Sequence, residues 1–104
     1  MSLISETLPD YAEVFNTPFD ELDPEDYGED IVDYLNSSVM DVETTTSSNG
    51  EVVEVALTVA VGGPGVVAHL RADERHYLEG FWGSDTATLP IDDVNGIFYY
   101  FTDV

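Results

Sequence analysis

Five carboxylates fall within nine residues of this chain, Glu25, Asp26, Glu29, Asp30 and Asp33, in a segment where Tyr27, Ile31, Tyr34 and Leu35 recur at helical spacing. At 100° per residue the acids occupy an arc of about 140° with the apolar residues opposite, which predicts one helix with one anionic face. The pairs Glu25/Glu29, Asp26/Asp30 and Glu29/Asp33 are like charges at i, i+4, each costing about 0.2–0.5 kcal/mol, and only the first acids regain something from the helix dipole. Stability alone does not select such a face. Nucleic-acid mimicry would: twelve helical residues span about 18 Å, over which one strand of duplex DNA carries roughly five phosphates. Asp20, Glu21 and Asp23 just upstream extend the row. The candidate partner-binding residues are therefore Asp20, Glu21, Asp23, Glu25, Asp26, Glu29, Asp30 and Asp33, standing in for phosphates in a basic channel. The competing reading of the same run is a solvated face.

Other chemistry is thinner. Taking Asp23 as the first ligand of a calcium loop puts Glu25 at position three and Gly28 at six, but Tyr27 falls at five and Tyr34 at twelve, so two ligand positions fail. His69 and His76 flank the Asp73 turn and, with Asp73, Glu74 or Glu79, could form a metal site only in one strand register; ordinary strand histidines are the simpler reading. The run Gly62 to Gly65 lacks the following helix and lysine of a phosphate loop, and no nucleophile elbow or dinucleotide fingerprint occurs. No metal, cofactor or enzymatic activity is expected. Phe81 and Trp82 point to opposite sheet faces, which would put one in the core and the other exposed or at an interface, while the simpler reading packs both rings under helices or loops; Tyr99 and Tyr100 divide similarly, one lying on the outer helix face.

The elements that position these residues follow from pattern. Ser5, Glu6, Pro9, Tyr11, Val14 and Phe15 predict a short helix stopped before Asn16, Thr17 and Pro18. Asp23 as N-cap and Pro24 at the first helical position open the acidic helix, and Asn36, Ser37 and Ser38 end it. From Val39 the period becomes two: a strand to Thr44, a turn at Ser47, Ser48, Asn49 and Gly50, then a strand from Glu51 to Val61 with Val53, Val55, Leu57, Val59 and Val61 on one face. Val66 to Arg71 and Arg75 to Trp82 give two more strands. A short extended piece follows through Leu89, and Val94, Ile97, Phe98 and Phe101 predict a closing helix from Asp92 or Asp93. The expected fold is α+β: a four-stranded antiparallel meander with two N-terminal helices and one C-terminal helix, in a single domain over 1–104. Its parts are an acidic helical part at 1–36, the sheet at 38–83 and the last helix at 92–104. Tyr27, Ile31, Tyr34 and Leu35 are expected to pack on Val53, Val55, Leu57 and Val59.

Composition bounds the partners. Twenty-two Asp and Glu stand against Arg71 and Arg75, with no Lys, for a net charge of −20. Such a chain repels nucleic acid and anionic membranes. It has no span of roughly 18 apolar residues, and Met1 to Asp10 has neither the basic start nor the apolar run of a signal peptide, so a cytoplasmic location is expected, the host's cytoplasm if the chain is phage-encoded. Absent cysteine excludes disulfides and thiolate chemistry. Codon bias in a GC-rich genome would trade Lys for Arg, which is also scarce here. A halophile's acids should spread over the exterior, whereas 11 of the 22 lie in the first 33 residues.

Gly62-Gly63-Pro64-Gly65 followed by Leu78-Glu79-Gly80-Phe81-Trp82-Gly83-Ser84-Asp85 resembles a Gly-Gly-Pro strand and a Gly-aromatic-Trp-Gly strand of small orphan proteins from phages and mobile elements. That span is about a quarter of the chain. The resemblance implies a mobile-element origin, where acidic anti-restriction and anti-CRISPR proteins are common. The N-terminal segment is similar to those DNA-mimic inhibitors in composition, so no binding residue is carried over. The expected partner is a basic nucleic-acid-binding protein of the host; the alternative is a halophile cytoplasmic protein of unrelated, non-enzymatic function.

Overall fold

A computed structural model describes residues 3–62 and 64–102, with side chains from Glu6 onward. Gly63 of the Gly-Gly-Pro run and residues 103–104 of the expected last helix lie outside the described residues, as does the Ser5 side chain. The chain forms helix α1 (Leu3–Asn16), a 3-10 turn (Phe19–Glu21), helices α2 (Pro24–Tyr27) and α3 (Ile31–Ser38), strands β1 (Asp41–Thr46), β2 (Val52–Ala60), β3 (Gly65–Arg71), β4 (Tyr77–Trp82) and β5 (Asp85–Pro90), and helix α4 (Ile97–Thr102). The five strands form one antiparallel sheet in chain order.

The α+β class holds, but the four-strand expectation is corrected: the extended piece after Trp82 is β5, paired along its length with β4 from Trp82↔Asp85 to Tyr77↔Pro90. Gly83, at φ 60°, and Ser84 make the two-residue connection. Thr86, Ala87 and Thr88 carry too little apolar alternation to announce a strand, and Pro90 is tolerated because the strand is an edge. The closing helix is also shorter than expected. It starts at Ile97 rather than Asp92 or Asp93, and Val94, the first residue of the expected stripe, is exposed.

Helices cover one sheet face only. α1 lies over β4 and β5, and α4 over β2 and β3. Alternation puts Val55, Leu57 and Val59 of β2, Val66, Ala68 and Leu70 of β3 and Leu78 of β4 on the buried side, against Leu8, Ala12 and Phe15 at helical spacing on α1 and Ile97 and Phe98 on α4. The chain ends are stitched together. The Asn95 amide donates to the Val14 and Thr17 carbonyls, both at 2.9 Å, and its Oδ1 accepts the Phe19 N–H at 3.0 Å.

The single acidic helix is the second correction. Gly28 has φ 86°, which no helix accommodates, and α2 ends there after one turn. Asp30 then starts α3 as a new N-cap, accepting the Asp33 N–H at 2.9 Å. The N-terminal part is thus three helices and a 3-10 turn rather than two helices. Docking differs too: Tyr34 alone of the expected four side chains is fully buried, edge-on to Phe15 at 6.2 Å and tilted on Phe19 at 6.4 Å. Tyr27, Ile31 and Leu35 are half-buried.

The break reverses the sign of one substitution. In a continuous helix Gly28→Ala would stabilise by about 1 kcal/mol. Here a Cβ on Gly28 would lie 2.6 Å from the Asp33 Cβ on a positive-φ backbone, so Gly28→Ala is expected to cost about 1–3 kcal/mol in urea denaturation.

Candidate partner-binding surface

All eight candidate acids are exposed, but not as one row. Asp20 and Glu21 sit on the 3-10 turn, Glu25 and Asp26 in α2, Glu29 and Asp30 in the break, and Asp33 on α3. Glu25, Asp26, Glu29 and Asp33 converge on one open concavity of about 680 Å³, floored by Pro24, Gly28 and the end of α3. Asp20, Glu21, Asp23 and Asp30 lie outside its lining. The straight five-charge helix face is replaced by a bent anionic ridge.

Part of this ridge is fixed by its own backbone. Asp23 Oδ1 accepts the Glu25 N–H at 2.9 Å, Asp30 Oδ1 the Asp33 N–H at 2.9 Å, and Asp33 Oδ2 the Glu29 N–H at 3.3 Å. Asp23 and Asp30 are helix N-caps, and Asp33, reaching back from α3 to the Glu29 N–H, helps hold the loop around Gly28 in shape. Asp20, Glu21, Glu25, Asp26 and Glu29 have no side-chain hydrogen bond or ion pair among the described residues. The sequence reading missed that α1 joins the surface. The Tyr27 hydroxyl donates to Glu13 Oε2 at 3.2 Å and approaches the Asp10 carbonyl at 3.4 Å, clipping α2 to α1. Burial, followed by the Glu13 charge, pushes the Tyr27 phenol up to about 12. The spacing of Asp10 and Glu13, one helical turn apart, was the available signal.

The two arginines do not reach this ridge. Arg71 lies 3.8 Å from Glu54 and 3.4 Å from Asp73, and Arg75 gives its backbone N–H to Asp73 Oδ1 at 3.0 Å. That backbone bond, ahead of the arginine charges, holds the Asp73 carboxyl below the usual range. The histidines do not meet. His69 lies on the helix-free sheet face, stacked on Tyr77 at 4.6 Å, with Nδ1 3.3 Å from Glu54 and Nε2 3.0 Å from Glu79. Carboxylates engage both ring nitrogens, leaving no nitrogen lone pair turned to open space. His76 is buried and accepts the Arg71 N–H through Nδ1 at 2.9 Å. Among the described residues no group of three or more His, Asp or Glu is arranged to hold a metal ion.

The aromatic expectations are corrected. Phe81 and Trp82 are both exposed, at 38% and 39%: Phe81 shares the helix-free face with Tyr77 and Glu79, and Trp82, on the face of Leu78, is the last residue of β4; neither is core. Tyr99 and Tyr100 are likewise both exposed, since the six-residue α4 buries only Ile97 and Phe98 fully.

No protein-family model, curated protein or solved structure matches this chain. Among the described residues no helix is long and apolar enough to cross a membrane.

Among the described residues Asp93 is the one buried acid. At φ 52° and buried, it accepts the Ile97 and Phe98 N–H groups at 2.9 and 3.0 Å, capping α4. Burial raises its carboxyl above the ordinary range against the pull of those two bonds and of His76. A raised native pKa means that the folded state holds this proton more tightly, so the Asp93 contribution is full below the unfolded pKa and is lost as pH rises through the native value. Stability should therefore increase as pH falls from about 7 towards 4, with relief of general repulsion acting in the same direction. In Asp93→Asn, chemical denaturation across that window should show a shallower pH slope, because residue 93 then no longer titrates.

Proposed function

We propose that this chain is a non-enzymatic inhibitor that fills the basic nucleic-acid site of a host defence protein, a restriction or CRISPR effector, with carboxylates in place of phosphates. The observation that carries this reading is the convergence of exposed, uncompensated acids on one surface partly fixed by helix caps. Fixed charges meet a basic channel without first being ordered, and complementary charge gives fast, salt-sensitive association. The bend at Gly28 fits a recess that follows a curved anionic surface rather than a straight groove. The resemblance of the glycine-aromatic strands to mobile-element proteins supports the same class of partner. The chain would work in the cytoplasm beside that partner.

A second reading has its own observation. Asp41, Glu43, Glu51, Glu74, Asp85 and Asp92 are exposed as well, so acids are not confined to one end, as expected for a protein of a high-salt cytoplasm. The two readings part in a salt titration followed by circular dichroism. An inhibitor of this kind is folded near 0.15 M salt, where the Debye length is about 8 Å, whereas a halophile protein requires molar salt.

The binding test is capture from host lysate at low salt, then competition between this chain and fluorescent duplex DNA for the retained protein. Replacing Glu25, Asp26 and Glu29 by Gln, Asn and Gln removes charge without removing a cap, and should weaken competition by at least about tenfold. The same change at Glu51, Glu74 and Asp85 should leave it nearly intact. Equal losses from both sets would reduce the reading to that of a generic polyanion.

A further inference from the structure

The two outer strands of the sheet are finished differently. β5 lies under α1 and ends in Pro90, which has no N–H to offer. β1 has no proline and no lysine, and all six of its residues are exposed. Along its free side every other N–H and C=O lacks a strand partner, the feature that natural edges usually blunt.

We propose that β1 is a docking edge for an extended basic segment of a partner protein, added antiparallel as a sixth strand. The side chains dictate the chemistry of the occupant. Asp41 and Glu43 pair with Thr58 and Ala56 and so stand on the helix-free face, where among the described residues no ion pair engages them: Arg71 is opposite Glu54, occupied by it and Asp73. An added strand would set Lys or Arg against these two carboxylates. Its alternate residues would meet Val42 and Thr44, which pair with Leu57 and Val55 and carry the core layer out to an uncovered margin where Val42 is exposed. Apolar β-branched residues suit that side. At the start of the strand Met40, 60% exposed, borders a cleft of about 350 Å³ walled by Tyr11, Val14, Tyr27 and Val59 and edged by Asp10 and Asp26, which repeats the same apolar and acidic pairing. A second copy is the poorer occupant. Antiparallel pairing centred on Glu43 would set that carboxylate against its own copy, between chains of −20 each. This inference stands apart from the function proposed for the helical acids.

The test uses a peptide of alternating Lys and Val, and the same peptide N-methylated at every second residue, which keeps its charge but cannot form the ladder. The unmodified peptide should bind at least about tenfold tighter than the methylated one and slow amide exchange within 41–46. Asp41→Asn with Glu43→Gln should weaken binding of the unmodified peptide by at least about tenfold, and circular dichroism of the variant should match the parent because both side chains are exposed. Equal binding of the two peptides, or protection confined to 20–33 or to β5, would overturn the proposal. Concentration-dependent protection of β1 without any peptide would also overturn it, in favour of self-pairing.

Discussion

Repulsion among the carboxylates is resisted by one apolar layer, formed where α1 and α4 lie on a single face of the sheet. Both arginines sit at the turn between β3 and β4 beside Asp73, so ion pairing offsets little of the charge elsewhere. Exposed pairs of that kind contribute about 0–1 kcal/mol, whereas each large side chain in the layer contributes about 1.5–3 kcal/mol through burial. Phe15, Leu57, Leu70, Leu78 and Ile97 are fully enclosed, and the chain holds its charge because they are.

The surface follows from that layer. α3 is not part of it; it is hung from it by Tyr34, whose ring sits against Phe15 and Phe19, while Tyr27 fastens α2 to α1 through Glu13. Burial also raises the Tyr34 phenol, so the ring enters the core as a neutral group. The acids between these two tyrosines are thus held at both sides by aromatic anchors, with the Asp30 cap on the path between them and the Asp23 cap at the start of α2. A charged segment with this support differs physically from an acidic tail, which would need ordering on contact.

The sequence made β2, β3 and β4 legible because Val55, Leu57 and Val59, then Val66, Ala68 and Leu70, keep a period of two and Asn49-Gly50 marks the first hairpin. Even so, Val53 and Val61 of the expected β2 face are exposed, and the register to β3 shifts between Thr58 and Ala60. β5 was hidden by its threonines and by Pro90, although Gly83-Ser84 is a two-residue hairpin signal. The acidic helix was misread for a subtler reason. Tyr27, Ile31 and Tyr34 keep helical spacing across a break that carries both of its own markers, a glycine and an aspartate three residues before Asp33. Periodicity records which side chains face inward, and it does not record whether the backbone between them is continuous. The eight acids were therefore identifiable as exposed, while the concavity gathering four of them depends on the positive φ of Gly28 and could not be read from spacing.

The Asn95 stitch bears on how the molecule assembles in time. Every strand pairs with its neighbour in sequence, so the sheet can zip from local hairpins in the microsecond regime. The stitch instead joins residues 76 to 81 positions apart, a closure whose entropy cost is about 4 kcal/mol and which is compensated only once both ends have arrived. The meander can thus precede the clasp, and the acidic third of the chain takes its final place only when Leu8, Ala12 and Phe15 have docked on the sheet and Asn95 has engaged the carbonyls of Val14 and Thr17.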